Sequence, residues 1–445
     1  MLSLLRTRPG RSKCDGFGRR EFLRVGSLGV AGLTLADLLR LRAFAAPGSR
    51  KPVSVILLFL DGGASQHETF DPKLGCPVEY RSLFGAVQTK IPGVMFGGQL
   101  PKMAAHADRM AIIRTLEHTD GDHAGATHWI KTGRPWPPQF VGKPIIIPQT
   151  SPSIGSIFAR ALGPNHPETR VPRYVRVQRD NGYPGDDASW LGAAYAPLRV
   201  KVGDEKSSPL LDSMTLKIDQ NRLADRRSLL AGLDRLDRRL DKSGTMDAID
   251  DFDRQAIDVV LGRGKEAFDL SKEDQPTRDL YGPGLGQELL LARRLCEMGA
   301  GFVTLNHGYW DHHSNIIPGL KKTTPPLDHV VTAYIEDVTR RGVFDDILLV
   351  ISGDFGRTPR INGGPGRDHW AAINDAVFIG GGLKMGQTIG TTDAKAAVTL
   401  SRPVTMQEYT ATLLHALGVP LDLQYTDPAG RPQYMVDEKP IAELI

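Results

Sequence analysis

Residues 53–60 (VSVILLFL) constrain the fold more than any other stretch of this chain. An unbroken run of mostly branched apolar residues, set between Pro52 and Asp61-Gly62-Gly63, is how a strand buried on both faces of a sheet is written. Runs of the same character recur at 110–116, 174–177, 301–305, 347–352 and 376–379. Between them the apolar period changes to that of a helix. Leu229, Leu233, Leu236 and Leu240 share one face, with Asp and Arg on the others, and 246–270, 285–299 and 330–341 also read as helices. Gly299 supplies a helix stop. The alternation predicts an α/β domain with a mostly parallel central sheet flanked by helices. Residues 205–275 are the most charged and helical part, and no linker isolates them, so they predict a helical insertion laid on the sheet. The proline-rich stretch 134–153 predicts an ordered loop.

The first 46 residues read as an export leader. Gly18-Arg19-Arg20-Glu21-Phe22-Leu23-Arg24 has the layout of a twin-arginine signal, followed by a Gly/Ala-rich apolar run over 25–39 that Asp37 interrupts. That run is too short and polar to span a bilayer, which takes about 20 apolar residues. Ala43-Phe44-Ala45 offers a small-x-small cleavage site, so the mature domain is expected over 47–445, exported to the periplasm or beyond by the twin-arginine machinery. The leader carries nine Lys/Arg against three Asp/Glu, so the +4 of the whole chain becomes −2 without it. The basic balance belongs to the leader and gives no support to nucleic-acid binding. No later segment is long and apolar enough for stable membrane insertion. Cys76 and Cys296 form neither a disulfide framework nor a Cys-x-x-Cys metal motif.

Polar, metal-competent residues gather where the strands end. The first strand runs into Asp61, the 301–305 strand into Asn306-His307-Gly308-Tyr309-Trp310-Asp311-His312-His313, and the 347–352 strand into Asp354-Phe355-Gly356-Arg357. Ligand crevices of open parallel sheets lie beyond the carboxyl ends of the strands, so these carboxylates are expected on one side of the sheet. Crowded carboxylates repel one another, and a divalent cation resolves the repulsion. Oxygen ligands with one or two imidazoles suit zinc, manganese or magnesium better than calcium. Taken singly, each motif has a plainer reading: Asp61 as a turn residue, Asp354 as a helix cap, Arg367-Asp368-His369-Trp370 as a surface loop. Their joint occurrence at strand ends points to metal. Asp354-Phe355-Gly356 spells a kinase tripeptide, but the other kinase motifs are absent, and Gly380-Gly381-Gly382 lacks the residues of a phosphate loop.

The order of these elements resembles the alkaline phosphatase-like superfamily, which includes sulfatases, phosphodiesterases and cofactor-independent phosphoglycerate mutases. More closely, the strings LLFLDGGASQHETFDPK, DHAGATHWIKTGR, GYWDHHSN, GDFGRTPRINGGPGRDHW and GGGLKMGQTIGTTD, with the leader, resemble the exported family called domain of unknown function 1501. The superfamily resemblance implies that Asp61, Asp311, His313, Asp354 and His369 hold one or two divalent ions. It also implies hydrolysis of sulfate or phosphate esters, with a small-molecule or sulfated-polysaccharide ester as substrate.

Two departures from the superfamily pattern stand out. Sulfatases place a Cys or Ser nucleophile ten residues before the Gly of a Leu-Leu-Thr-Gly-Arg ending; here that ending is Ile130-Lys131-Thr132-Gly133-Arg134, and the position holds His123. Where phosphatases have Asp-His, Asp354 is followed by Phe355. His123 could ligate metal beside an activated water, attack directly, or be a hydrogen-bonded structural histidine. His118, His123 and His128 lie five apart, so at most two can point into the crevice. Ser65 and Thr69 are alternative hydroxyl nucleophiles. Arg357 could face the ester oxygens or pair with Asp368 or Asp345. A degenerate family member that binds metal and ligand without turnover is the alternative function.

Overall fold

The computed structural model describes residues 52–137, 149–177, 184–202 and 263–445. The leader, residues 205–262 of the expected insertion and residues 138–148 of the proline-rich loop lie outside the described residues. The described residues belong to the unit Pro52–Ile445.

Among the described residues the central sheet has nine strands: β1 (Ser54–Leu60), β2 (Met110–Glu117), β3 (Tyr174–Val177), β4 (Leu198–Val200), β5 (Phe302–His307), β6 (Ile347–Gly353), β7 (Asn374–Gly380), β8 (Gln387–Ile389) and β9 (Val404–Thr405). Their order is β8-β2-β7-β6-β1-β5-β3-β4, with β9 also paired to β2. β1 lies at the centre, parallel to β5 and β6. Strand β7 alone runs against the rest, antiparallel to both β6 and β2. The chain leaves the carboxyl end of β6, builds a polar loop there, and re-enters the sheet from the same end, which requires no crossover helix. Strands β4, β8 and β9 have only two or three residues each, too short to leave an apolar run in the sequence.

The helices that cover the sheet are α1 (His123–Thr132), α2 (Ile154–Leu162), α3 (Gln275–Tyr281), α4 (Leu285–Glu297), α5 (Ile316–Arg340) and α6 (Met406–Ala416). Alternate residues of β1 enter two cores. Ile56, Leu58 and Leu60 pack with Leu289, Leu295, Val331 and Ile335 of α4 and α5. Val55, Leu57 and Phe59 pack with Ile157, Phe158, Tyr409 and Leu413 of α2 and α6. Burial on both faces is why 53–60 shows no polar alternation, and each such side chain contributes about 1.5–3 kcal/mol.

Two helix boundaries differ from the sequence reading. Helix α5 starts at Ile316, not near 330, and runs through Pro325-Pro326; a proline pair reads as a boundary, yet buried Leu320, Leu327 and Val331 hold this helix against the core. At the end of the expected 246–270 helix, Arg263–Phe268 and Leu270–Lys272 are 3-10 turns. Asp269 caps the second by accepting from the Ser271 amide. Among the described residues no helix is long and apolar enough to cross a membrane, and Cys76 and Cys296 are free and buried.

Candidate metal centre

Beyond the carboxyl ends of β1, β2, β5 and β6, four loops meet. Gly62 and Gly63, at φ 100° and 80°, let the loop after β1 touch its neighbours. A Cβ on Gly62 would lie 2.7 Å from the Asp311 amide nitrogen, so a side chain there would drive the β1 and β5 loops apart. The Trp310 amide donates to the Asp61 carbonyl at 2.9 Å. These contacts carry Asp311, four residues beyond β5, to the centre of the cluster.

Three side chains place ligand atoms within 4.8 Å of one another: His123, Asp311 and His369. His123 is the first residue of α1, whose cap Asp122 accepts from the Ala124 amide. Its Nδ1 lies 2.5 Å from Asp354 Oδ2 and its Nε2 lies 3.3 Å from Asp311 Oδ2. His369 comes from a two-stranded ribbon in which Gly356–Arg357 pairs with His369–Trp370. Its Nδ1 lies 2.7 Å from the Gly121 carbonyl and its Nε2 lies 3.2 Å from Asp311 Oδ1. A carbonyl only accepts, so Nδ1 of His369 carries a hydrogen; in the metal-free protein Nε2 faces the Asp311 carboxylate, and only in the neutral ring is it the lone-pair nitrogen that a metal would take. His313 repeats the pattern at the rim, with Nδ1 2.7 Å from Asp368 and Nε2 3.0 Å from both Asp311 Oδ1 and His369 Nε2. Imidazoles tied at one nitrogen and aimed with the other are how proteins orient metal ligands.

The donor set fits a divalent cation. His313 Nε2 and His369 Nε2 lie 3.0 Å apart, each ring held at Nδ1 by an acceptor; as neutral imidazoles they would aim lone pairs at each other, a repulsion that a cation between them removes. Asp354 is fully buried, and its Oδ1 accepts no hydrogen bond among the described residues. Phe355, the departure from the Asp-His pattern noted in the sequence, is also buried and lies against the rings of His123 and His369, at 5.1 and 4.4 Å between centroids. It gives the two imidazoles an apolar floor.

Electrostatics couple the group tightly. Burial works against protonation of His123, but the carboxylates of Asp311 and Asp354 raise its pKa to about 9 in the metal-free protein. Burial would raise Asp311, yet His123, His369 and Arg357 hold it well below the usual carboxylate range. The raised His123 therefore stabilises the metal-free fold fully below about pH 6.5 and loses that contribution as pH climbs through about 9. A cation taking the Nε2 position must displace that proton.

Not every expected ligand reaches the cluster. Asp354 orients His123. Asp61 stands outside the three-residue group. Arg357 is 1% exposed and does not face a substrate. Its Nε donates to the Gly63 carbonyl (3.0 Å), Nη1 to the Arg367 carbonyl (3.1 Å), and Nη2 to the Gly62 carbonyl and to Asp311 Oδ1 at 2.5 Å. It is a positioning residue for Asp311, and its partner is neither Asp368 nor Asp345. The hydroxyls of Ser65 and Thr69 are buried and donate to Glu68 and to the Ser65 carbonyl. His118 bonds the Asp354 carbonyl at 2.6 Å, and His128 stacks on Trp136, so of the three histidines spaced by five only His123 joins the centre. His312 packs against Gly319 of α5, whose added Cβ would meet the ring at 2.2 Å. Sequence reasoning missed Asp368 as the partner of His313 and the Gly121 carbonyl as the partner of His369; the carbonyl leaves no signal in residue type.

Residues 52–445 match a family model described as Protein of unknown function (DUF1501). No curated protein matches the chain. Solved structures similar to it include the lipoteichoic acid synthase LtaP from Listeria monocytogenes, at 10% identity and TM-score 0.41, covering 84% of this chain and 74% of that one. The PsFucS1 sulfatase from Pseudoalteromonas sp. is similar at 12% identity and TM-score 0.38, over 86% and 71%. A protein in the alkaline phosphatase superfamily from Vibrio parahaemolyticus is similar at 10% and 0.37, over 86% and 74%. Likeness at this level says nothing about activity.

Proposed function

The chain belongs to the DUF1501 family, and we propose that it is an exported, metal-dependent hydrolase of sulfate or phosphate esters. The observation that carries this reading is the convergence of His123, Asp311 and His369 from three distant segments, each imidazole tied at its outer nitrogen. These three residues would hold a divalent ion, with His313 beside them at the rim. Such an ion, when bound, polarises an ester oxygen and lowers the pKa of water toward about 7.

The chain's own part is preorganisation. Arg357 locks the Asp311 carboxylate against the loop after β1. Asp354 fixes the ring of His123 from beneath, and Phe355 keeps water from the inner side of both imidazoles. Exposure rises from Arg357 through Asp311 to His313, which is 46% exposed, so an ester approaches from the His313 side. No hydroxyl or thiol stands at position 123, and those of Ser65 and Thr69 are engaged elsewhere. That same observation favours a second reading, a protein that binds metal and an ester or sugar without turnover.

The test begins with metal analysis of protein folded in its producing cell. About one equivalent of a divalent metal is expected, and its absence would remove the hydrolase reading. A panel of aryl sulfates and phosphates then compares wild type with His123→Ala. Hydrolysis by wild type and a loss of about 100-fold or more in the variant supports the enzyme. Equal rates would take His123 out of the mechanism, and no turnover by metal-loaded wild type would favour the binding reading.

Export rests on the leader sequence. Replacing Arg19 and Arg20 together by Lys is expected to leave the protein uncleaved in the cytoplasm, as read by fractionation of the native cell. Unchanged processing would remove the twin-arginine route.

A further inference from the structure

A cavity of about 210 Å³ lies apart from the metal centre, where the segment after α1 meets a C-terminal hairpin that pairs Gln424–Thr426 with Pro432–Tyr434. Thr132, the last residue of α1, and Arg134 line it. His123, at the other end of the same helix, belongs to the centre. Helix α1 puts about 14 Å between His123 and Thr132, and nothing in the chemistry proposed above uses the cavity.

Its lining combines apolar rings with polar groups that are already fixed. Ile157 and Met435 are its buried apolar part. Trp190, on the 3-10 turn Ser189–Leu191, packs against the core and borders the cavity, as does Tyr434, which is 50% exposed. Arg134 donates through Nη1 to Asp437 at 2.5 Å and through Nη2 to the Tyr434 carbonyl at 2.7 Å, which ties the end of α1 to the hairpin. Arg431 donates to Asp427 through Nε at 2.9 Å, with Nη2 at 2.8 Å from the same oxygen, and Gln433 Nε2 lies 3.4 Å from it. Each arginine therefore has a carboxylate of its own.

These features define a ligand. The volume is below the roughly 300–1,000 Å³ of sites for drug-sized molecules, so it takes a single small ring. Aromatic side chains supply flat apolar surface, and guanidinium and amide groups supply adjacent N–H donors. A sugar ring offers the complement, C–H faces above and below with hydroxyls around its edge. Because both guanidiniums are neutralised, a charged substituent gains little here. The Arg431 side chain is 71% exposed, so the cavity opens to solvent beside it and a longer chain can continue outward.

We infer that this cavity is a saccharide-binding site: it takes one unit of an uncharged sugar chain, stacked on Trp190 and Tyr434 and hydrogen-bonded by Arg431 and Gln433. The site is independent of the metal reading. A single sugar bound here does not reach the metal centre; only a chain of several units could span the two.

The experiment measures sugar binding directly. The full chain, purified from its producing cell, is applied to an array of neutral, uronic-acid and sulfated oligosaccharides, and the best ligand is titrated by calorimetry. Neutral oligosaccharides should be retained, with affinity unchanged by chelator and unchanged in about 1 M NaCl, where the Debye length is about 3 Å. Trp190→Ala and Tyr434→Ala should each weaken binding by about tenfold or more. If Trp190→Ala does not fold, Tyr434→Ala and Arg431→Ala decide, since both side chains are largely exposed. Retention of no saccharide, or of sulfated ones alone, would overturn the inference, as would full affinity in both Tyr434→Ala and Arg431→Ala. Loss of binding with chelator or in His369→Ala would assign the sugar to the metal centre and overturn it too. Metal content of the same preparation judges the hydrolase reading separately.

Discussion

Asp311→Ala is expected to remove stoichiometric metal, to lower metal-dependent ester hydrolysis by about 100-fold or more, and to cost about 3 kcal/mol of stability. No other side chain touches so many members of the site. Its Oδ1 takes Arg357 at 2.5 Å, His313 at 3.0 Å and His369 at 3.2 Å, and its Oδ2 faces His123 at 3.3 Å. Truncation removes the central ligand and leaves the buried Arg357 guanidinium without its counter-charge. Three backbone carbonyls, of Gly62, Gly63 and Arg367, still accept from that guanidinium, which keeps the stability loss at the lower end for a broken buried pair. Asp311→Asn separates the two roles, because an amide oxygen can still accept from Arg357 but is a poor metal ligand. The asparagine variant should lose metal while keeping most of the stability, as read by metal analysis and chemical denaturation. Full metal content in Asp311→Ala would show that the cluster is not the centre.

The parts of this site that were legible in the sequence are the parts encoded by strand ends. A buried parallel strand is a continuous apolar run, so Asp61, Asp311 and Asp354 could be placed at one edge of the sheet from their positions just beyond such runs. His369 was implied by the superfamily resemblance; its own segment, Arg367-Asp368-His369-Trp370, also reads as a surface loop. Finer assignments depend on geometry that residue type does not carry. His312 and His313 are adjacent, and the backbone turn alone decides which reaches Asp311 and which packs on Gly319. Arg357 reads as an anion-binding residue because its planar fork suits a pair of phosphate or sulfate oxygens, with a salt bridge to a carboxylate as the alternative. The ribbon pairing it with His369 instead turns it toward the carbonyls of Gly62 and Gly63. Asp354 and His123 are 231 positions apart, and their 2.5 Å contact has no local signal. The antiparallel course of β7 was equally hidden, since an apolar strand reads the same in either direction.

Asp337→Ala should be the most destabilising change outside the centre, by about 3–5 kcal/mol. Asp337 and Arg293 are both fully buried, with Arg293 Nε 3.2 Å from the carboxylate. Around Asp337 stand Arg340 at 2.8 Å, Arg341 at 2.9 Å and the Tyr281 hydroxyl at 3.1 Å. Arg293 and Arg341 also reach Glu273, at 2.9 and 2.5 Å, so the network ties α3, α4 and α5 to the segment before α3. Removing one carboxylate leaves Arg293 and its neighbouring arginines with two acidic partners, Glu273 and Glu297, and strands part of a charge that cannot reach water. Paired removal, Asp337→Leu with Arg293→Met, should recover much of the loss, because apolar side chains of similar volume often replace a buried ion pair at little cost. Equilibrium denaturation of the single and double variants measures this as a coupling energy. The same change reaches the site indirectly. Helix α5 begins directly after the loop carrying Asp311 and His313, so loosening its far end should lower metal affinity less than Asp354→Asn does, while lowering stability more. Equal stability of Asp337→Ala and wild type would mean that this network is screened by water and that α5 is held by its apolar face alone.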